Sequence, residues 1–325
     1  MSSGRSYFMT GALGCIGAWI VRALVDRGDR PVAFDVSEDR RRLEAIMSPG
    51  DLDRVVFVRG DITSGSEVRA ALEASGARRV IHLAGLQVPG CRQDPVAGAR
   101  VNVIGTLNVF EAARAAGIPR VVYASSAAVF GLADEAVDET VAPAPLTHYG
   151  VFKQANEGNA RVYFHDCGLS SIGLRPFSVY GVGRDAGITS DPTRAIKAAL
   201  VGRTFHIRFG GTSDFIYVAD AAAAFIACAD EGPDGAHVFN LHGETRQVES
   251  VVRIIDEQLP AHARGLITFG GPPIPMPPAL DDSALRRALP ALPQTSVRDG
   301  VAQTIARFAA LRDEGRLDLR DIEAG

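Results

Sequence analysis

The chain has 325 residues, of which 46% are hydrophobic and 22% charged, and its formal net charge is −4. A chain of this length can bury one large core or two smaller ones. The arginines are scattered rather than massed with aromatic residues, which excludes the basic footprint of a nucleic-acid-binding protein.

Membrane, secretory and metal-binding classes are also disfavoured. The most apolar stretch, residues 221–229, is too short to span a bilayer. Residues 1–4 carry no long apolar core ahead of the glycine-rich loop, so we expect no signal peptide. The four cysteines form no paired motif, and the seven histidines show no His-x-x-x-His pattern. We therefore expect a cytoplasmic protein with reduced thiols that binds no membrane and no metal.

The first predicted strand, residues 7–9, leads into a glycine-rich loop at residues 10–17, and an amphipathic helix follows at residues 18–27. Three glycines at this spacing allow a tight turn and close approach to a pyrophosphate at the positive end of the helix. The pattern predicts a dinucleotide-binding loop. Its candidate cofactor-binding residues are Gly11, Leu13, Gly14, Cys15, Ile16 and Gly17.

A second predicted strand, residues 31–34, ends in Asp35. This is about the position at which a dinucleotide-binding unit places an acid on the adenosine ribose. A carboxylate there repels a ribose 2′-phosphate, which favours NAD over NADP. The following run Arg40-Arg41-Arg42 is either a phosphate contact or the solvated face of a helix, and we favour the solvated face.

Strands and helices then alternate along the chain. This alternation predicts an α/β fold, a doubly wound parallel sheet with helices on both faces. Ligands of such sheets bind at the carboxyl ends of the strands, where Asp61, Ile62, Leu83, Ala84, Gly85 and Ser126 stand. The predicted strands are residues 55–58, 80–83, 121–124 and 171–174, and the predicted helices are residues 67–74, 96–116 and 149–166.

The alternation fails after Arg175. We predict two units, a nucleotide-binding domain of residues 1–175 plus about 215–245, and a smaller substrate-binding lobe of about 176–214 plus 246–325. In the lobe we expect the proline-rich turn at residues 271–278 to be a rigid connection. The other elements predicted after Arg175 are helices at 192–201, 221–229, 248–259, 282–288 and 297–312 and sheet-like segments at 205–209 and 214–218.

Tyr149 and Lys153 are four residues apart on a predicted helix, so their side chains share one face. A free phenol titrates near ~10 and is a poor base at neutral pH. A neighbouring ammonium group and a positive nicotinamide ring would stabilise the phenolate. Ser126 follows an apolar strand, where its hydroxyl would hydrogen-bond the reacting oxygen during hydride transfer.

Taken together, these motifs resemble the extended short-chain dehydrogenase/reductase family, and more narrowly its NAD-dependent epimerase/dehydratase branch. The residues that carry the resemblance are Thr10-Gly11-x-x-Gly14-x-x-Gly17, Asp61-Ile62, His82-Leu83-Ala84-Gly85, Asn102-Val103-x-Gly105-Thr106, Ser125-Ser126-x-x-Val129, Tyr149-x-x-x-Lys153 and Arg175-Pro176-Phe177.

The resemblance implies a Rossmann domain that binds NAD. Tyr149 would be the acid/base, Lys153 would hold the nicotinamide ribose and lower the tyrosine's pKa, and Ser126 would position the substrate oxygen. Asp35 would bind the adenosine ribose. The resemblance also assigns Asp61 and Ile62 to the adenine, Leu83 and Ala84 to the middle of the cofactor, and Asn102 and Phe177 to the cofactor and nicotinamide pocket.

Two departures from the family pattern concern the substrate. Many sugar-nucleotide epimerases have Asn where Ser178 stands and Arg where Ser213 stands, and that arginine clamps a nucleotide diphosphate. Arg184, Arg194, Arg203 or Arg208 could compensate for the missing arginine. Dehydratases carry Asp-Glu after the Ser126 position, whereas Ala127-Ala128 follows here, which argues against elimination.

Our main hypothesis is an NAD-dependent dehydrogenase, or an epimerase acting through a transient ketone, on a carbohydrate or sugar-acid-like substrate. The alternatives are a nucleotide-sugar 4-epimerase and a non-catalytic NAD-sensing regulator. The resemblance further implies a homodimer formed by the helices at residues 96–116 and 149–166. The candidate substrate contacts are Gln87, Ser126, Ala127, Ser178, Thr189 and Arg208.

Overall fold

A computed structural model describes residues 4–323 and has an α/β architecture. The strands are β1 (Ser6–Thr10), β2 (Arg30–Asp35), β3 (Val56–Arg59), β4 (Arg79–His82), β5 (Arg120–Ala124), β6 (Ser170–Pro176), β7 (Ser178–Tyr180), β8 (Phe205–Ile207), β9 (Thr212–Tyr217), β10 (Ala236–Leu241), β11 (Glu244–Gln247) and β12 (Ile267–Phe269).

The helices share the two faces of the main sheet and the C-terminal half of the chain. They are α1 (Cys15–Asp26), α2 (Arg41–Glu44), α3 (Pro49–Leu52), α4 (Gly65–Ser75), α5 (Val88–Gln93), α6 (Pro95–Ala99), α7 (Gly105–Ala115), α8 (His148–Cys167), α9 (Asp191–Leu200), α10 (Val218–Glu231), α11 (Val248–Gln258), α12 (Ser283–Ala288), α13 (Val297–Asp313) and α14 (Arg320–Glu323).

The main sheet has seven parallel strands in the order β3-β2-β1-β4-β5-β6-β10. The chain runs outward from β1 to β3 and then returns to the other side of β1 at β4. In a parallel sheet covered on both faces, the strands have continuous apolar sequences. Accordingly, Phe8, Met9, Val80 and Val121 are fully buried. The reversal between β1 and β4 opens a crevice at the carboxyl ends of the strands, which is where such sheets bind ligands.

The core consists of two main apolar layers. On one face Phe8 and Val121 pack with Leu72 of α4 and Phe110 of α7. The layer on the other face is larger, and it extends from Met9 through α1 and α10 to Phe308 of α13. One apolar cluster therefore joins β1 of the main sheet to α13, the last long helix that the structure describes.

The second half of the chain contributes two small sheets. β9 lies between β7 and β11 in one, and β8 pairs with β12 in the other. The segment at residues 214–218, which we predicted as sheet-like, thus pairs outside the seven-stranded sheet, whereas β10 is an edge strand of that sheet. Our division of the chain into two lobes stays a prediction.

The predicted helix at residues 96–116 is α6 and α7 joined by a π-helical turn at Arg100–Ile104. A π turn adds a residue to the helical repeat and commonly occurs near functional sites. Asn102 lies in this turn and is 1% exposed. Within residues 4–323, no helix combines the length and the apolar character needed to cross a bilayer.

His82 ends β4 and links the sheet to α7 below the crevice. Its Nδ1 lies 2.7 Å from Thr10 Oγ1 and its Nε2 lies 2.9 Å from Thr106 Oγ1. The side chain is buried, and burial, with a smaller contribution from the Lys153 charge, lowers the pKa of the imidazole from 6.5 to about 3. His82 is therefore a neutral, hydrogen-bonded residue of the core, as its position at a strand end indicates.

We expect His82 to make the protein sensitive to acid. In the unfolded chain the imidazole takes up a proton below its ordinary pKa of 6.5, whereas the folded protein does not until about 3. Stability is therefore lost as the pH falls below 6.5, and one such group costs about 2 kcal/mol between pH ~7.5 and ~5. Urea unfolding of His82→Gln at both pH values should show a decrease smaller by that amount. His165→Gln, a change at an exposed histidine, should leave the decrease unchanged.

Candidate active site

The crevice between β1 and β4 opens into a cleft of ≈ 650 Å³. Its floor is made by the glycine-rich loop and by the residues that follow β3, β4 and β5. Its opposite wall is made by α8, by a loop at residues 183–189 and by Ile274, Pro275 and Met276 of the proline-rich turn. That turn, which we predicted only as a connection, therefore forms part of the site.

Two glycines of the loop at residues 10–17 occupy positions that no larger residue could take. Gly11 has φ +69°, and a Cβ on it would lie 2.5 Å from the Ala84 backbone nitrogen. A Cβ on Gly17 would lie 2.4 Å from the Gly11 carbonyl oxygen. These contacts hold the loop against the end of β4 and hold α1 against the loop.

Helix α1 begins at Cys15 with no side-chain cap and no acidic residue in its first turn. The first N–H groups of a helix have no partner within the helix, and the helix dipole favours an anion there. Gly14, Cys15, Ile16 and Gly17 line the cleft at this point. The local geometry therefore suits a pyrophosphate. Burial raises the pKa of the Cys15 thiol to about 11, so it stays protonated at neutral pH.

Asp35 lies beside the loop at the end of β2. Its two carboxylate oxygens accept hydrogen bonds from the backbone N–H groups of Leu13 and Ser37, each at 3.0 Å. These bonds fix the carboxylate on the wall of the cleft, where its negative charge suits ribose hydroxyl groups and opposes a phosphate. The arrangement agrees with the expectation of NAD rather than NADP.

The arginine run at residues 40–42 is not simply a solvated face, contrary to our preferred interpretation. The guanidinium of Arg40 lies 3.7 Å from the Phe57 ring centroid. Arg42 donates to both carboxylate oxygens of Asp185, at distances of 2.7 to 3.3 Å, and also to the Leu13 carbonyl at 3.0 Å. Arg42 therefore ties the loop at residues 183–189 to the glycine-rich loop.

Most of the other predicted cofactor residues line the cleft, and Asn102 does not. Those that line it are Asp61, Ile62, Leu83, Ala84, Gly85 and Phe177. The Asn102 amide nitrogen instead donates to the carbonyls of Leu86 at 3.2 Å and Gly98 at 3.1 Å. A Cβ on Gly85 would lie 2.6 Å from Asn102 Oδ1, so Asn102 supports the wall of the cleft from behind.

The structure brings Tyr149, Lys153 and Ser126 together in the cleft. Helix α8 carries the first two, and the hydroxyl of its N-cap residue, Thr147, accepts from the Gly150 N–H at 3.0 Å. Lys153 Nζ donates to the Ala124 carbonyl at 2.7 Å and lies 5.5 Å from the Tyr149 ring centroid. Burial lowers the pKa of Lys153 to about 8, so the ammonium form prevails at neutral pH.

Burial dominates the ionisation of the Tyr149 phenol. It raises the pKa above the ordinary value of 10, whereas the nearby Ser126 hydroxyl and the Arg184 charge lower it by less. In the protein alone the phenol is therefore protonated at neutral pH. Lys153, which we expected to lower this pKa, is not among the groups that shift it in the protein alone, and its ammonium donates to the Ala124 carbonyl.

A buried ion pair lies behind the part of α8 that carries Tyr149 and Lys153. Arg175 Nε and Nη2 donate to the two carboxylate oxygens of Glu157, at 2.8 and 2.7 Å, and the Ser125 hydroxyl donates to the same carboxylate at 2.5 Å. Arg175 also lies 4.7 Å from the Phe130 ring centroid. The pair thus connects α8, the end of β5 and β6. Our sequence interpretation did not include Glu157, although it lies four residues after Lys153 on the same helix face.

The predicted substrate contacts divide into two groups. Gln87, Ser126 and Thr189 line the cleft. The other three do not line the cleft, because each is buried or paired at another place. Ala127 is fully buried, Ser178 is buried with its hydroxyl 2.8 Å from that of Ser213, and Arg208 pairs with Asp191 away from the cleft.

Comparison with known proteins identifies relatives of the whole chain. The sequence model described as the NAD dependent epimerase/dehydratase family matches residues 7–241. The UDP-glucose 4-epimerase of Azospirillum brasilense is 30% identical over 323 residues, which cover 91% of this chain and 89% of that protein.

Two solved structures are similar along nearly their full length. The Thermus thermophilus UDP-glucose 4-epimerase in complex with NAD has 25% identity and a TM-score of 0.81, and the match covers 93% of this chain and 98% of that one. MoeE5 in complex with UDP-glucuronic acid and NAD has 30% identity and a TM-score of 0.78, and the match covers 95% and 99%.

Proposed function

Since the chain belongs to the NAD-dependent epimerase/dehydratase family of extended short-chain dehydrogenases/reductases, we propose that it transfers hydride between NAD and a secondary alcohol carbon of a carbohydrate or sugar acid. The observation that carries the proposal is the placement of Tyr149, Lys153 and Ser126 in the same cleft as the glycine-rich loop. Dinucleotide and substrate can therefore meet at the phenol.

The residues of the cleft fit NAD. The uncapped start of α1 suits the pyrophosphate, Asp35 suits the adenosine ribose, and the Lys153 ammonium can hydrogen-bond the second ribose. When bound, NAD supplies the hydride acceptor and a positive ring. Its positive charge would favour loss of the proton from the Tyr149 phenol, whose pKa burial keeps high.

Three residues of the chain then have separate roles in proton transfer and in positioning of the substrate. Tyr149 takes the proton from the alcohol as the carbon gives up hydride, and it returns a proton in the reverse direction. The Ser126 hydroxyl hydrogen-bonds the reacting oxygen and fixes its position. Lys153 keeps a positive charge close to the phenolate, and its bond to the Ala124 carbonyl fixes its position against β5.

A second candidate function is a nucleotide-sugar 4-epimerase. It is favoured by relatives that are UDP-glucose 4-epimerases over nearly their whole length. The contact between Ser178 and Ser213 weighs against it, because Ser213 stands where many such enzymes carry the arginine that clamps the diphosphate, and its hydroxyl lies 2.8 Å from that of Ser178 instead. We therefore place a substrate without a nucleotide first.

A substrate panel tests the proposal. The protein is incubated with NAD and, in turn, with free sugars, sugar acids and UDP-sugars, and NADH absorbance and NMR spectra are recorded. Net NADH marks a dehydrogenase, and an epimer formed without net NADH marks an epimerase. Activity confined to UDP-sugars would support the second candidate. NAD binding without turnover of any class would contradict both and would indicate a sensor.

We also propose that the protein acts in the cytoplasm as a homodimer. Ile104, Val151 and Val162 are apolar and exposed near or on the helix that carries Tyr149, and pairing of two copies would cover them. Light scattering should give twice the chain mass, and Val162→Glu should give a monomer. A wild-type monomer at working concentrations would contradict the proposal.

A further inference from the structure

Arg184 lies in the cleft without a counter-charge. Two arginines line the cleft within residues 4–323, and the other, Arg42, is paired with Asp185. Arg184 Nη2 donates to Thr189 Oγ1 at 2.6 Å, whereas its Nε is buried and has no hydrogen-bond partner among the described residues. No acidic side chain of that part of the chain lies within ion-pair distance of Arg184.

The loop that carries Arg184 is anchored on both sides of it. On one side Trp19 Nε1 donates to the Val182 carbonyl at 2.8 Å. On the other side Asp185 accepts the fork of Arg42 at 2.7 Å. The guanidinium of Arg184 thus projects into the cleft from a held segment, and a ligand can use it without first ordering the loop.

Polar groups from two other segments converge on the same place. Gly187 has φ +86°, and a Cβ on it would lie 2.6 Å from Gln87 Oε1 and 3.5 Å from Arg184 Nη2. The Gln87 amide and the guanidinium therefore lie next to each other across Gly187. Arg184 and Tyr149 line the same cleft, and the Arg184 charge acts to lower the pKa of the Tyr149 phenol, so the guanidinium faces the space in which the phenol would react.

A partly desolvated guanidinium without an anion is costly, and its planar fork matches the two oxygens of a carboxylate. Among the described residues, three acidic side chains line the cleft, and none is within ion-pair distance of Arg184: Asp35 accepts from two backbone N–H groups, Asp61 accepts from the Thr63 N–H, and Asp185 pairs with Arg42. An anion that pairs with the Arg184 guanidinium must therefore come from a ligand.

We propose that Arg184, together with Gln87 and Thr189, binds a carboxylate of the substrate, so that the substrate is a sugar acid or a related hydroxy acid. This proposal rests on the proposed function in that it takes Tyr149 as the reacting centre. Anionic oxygens could also come from a phosphate of NAD or from a nucleotide diphosphate, and the experiment separates these sources.

The test measures binding rather than turnover. Protein loaded with NADH, which cannot accept hydride from these alcohols, is titrated in a calorimeter with D-glucuronate, D-gluconate and L-threonate, and with the neutral counterparts D-glucose, D-glucitol and L-threitol. At least one acid should bind about 10- to 100-fold more tightly than its counterpart, as expected for a charged hydrogen bond. Arg184→Met should reduce that preference to about twofold or less, and Arg184→Lys should keep part of it.

The affinities for NAD and UDP identify the source of the anion. Arg184→Met should bind NAD as tightly as the wild type within about threefold. A larger loss of NAD affinity would assign Arg184 to the cofactor phosphates and would overturn the proposal. Arg184-dependent binding of UDP that exceeds the binding of every acid would overturn it in favour of a diphosphate. Equal binding of each acid and its neutral counterpart in the wild type would also overturn it.

Arg203→Met is the matched control, because Arg203 is an exposed arginine that pairs with Glu323. It should leave the preference for the acid unchanged, and a loss there equal to that of Arg184→Met would overturn the proposal. A failure of the proposed function gives a different result. In that case no substrate of the panel shows hydride transfer, whereas the titrations still show a preference for the acid that depends on Arg184.

Discussion

Tyr149→Phe is expected to lower kcat by about 10²- to 10⁴-fold on any substrate that the panel identifies. The change removes the hydroxyl that exchanges the proton with the alcohol oxygen and keeps the ring that packs in the cleft. NAD binding should therefore change little, because the start of α1 and Asp35 are untouched. Steady-state kinetics gives kcat, and fluorescence titration gives the NAD affinity.

Tyr163→Phe is the control for this experiment, since Tyr163 lies on the same helix with its hydroxyl donated to Glu111 at 2.8 Å. It should retain kcat within about twofold, as is usual for a change outside the site. If Tyr149→Phe kept full turnover, the acid/base role of Tyr149 would be wrong. A loss of NAD affinity as large as the loss of kcat would point to a cofactor-binding role instead.

Arg175→Met should reduce the free energy of unfolding by about 3–5 kcal/mol. The change leaves the Glu157 carboxylate, 2% exposed, with only the Ser125 hydroxyl as a side-chain partner. Urea unfolding followed by circular dichroism measures the loss. The double change Arg175→Met with Glu157→Leu removes both charges, so it should recover much of the lost stability.

This double variant also decides between two explanations. If Arg175→Met acts by leaving an unpaired charge, the double variant is more stable than the single one. If it acts by loss of packing against Phe130, the double variant is no more stable, and the electrostatic explanation is wrong. Little loss in Arg175→Met itself would mean that water or a shift of α8 satisfies Glu157.

The parts of the site that depend on local pattern could be predicted from the sequence. The glycine-rich loop, Asp35 and the spacing from Tyr149 to Lys153 are each set by a few consecutive residues, and the structure brings them into one cleft. The alternation of strands and helices likewise predicts the first six strands of the parallel sheet, because each strand has a continuous apolar run.

The parts that depend on distant contacts could not be predicted. β7, β11 and β12 have three or four residues each, too few to show a period. We predicted Arg208 as a substrate contact, but its guanidinium pairs with Asp191. We predicted Ser178 as another, but its hydroxyl contacts that of Ser213. The order of residues in the sequence does not show that Arg42 pairs with Asp185, or that Arg184 has no acidic partner among the described residues.

The apolar cluster that runs from β1 to α13 limits how this enzyme can be re-engineered. Suppose that the C-terminal half of the chain were replaced by that of a relative. Its buried side chains would have to pack against Met9, α1 and α10 as well as against one another. Changes of specificity are therefore easier to achieve by replacing single side chains around residues 183–189 than by exchanging modules.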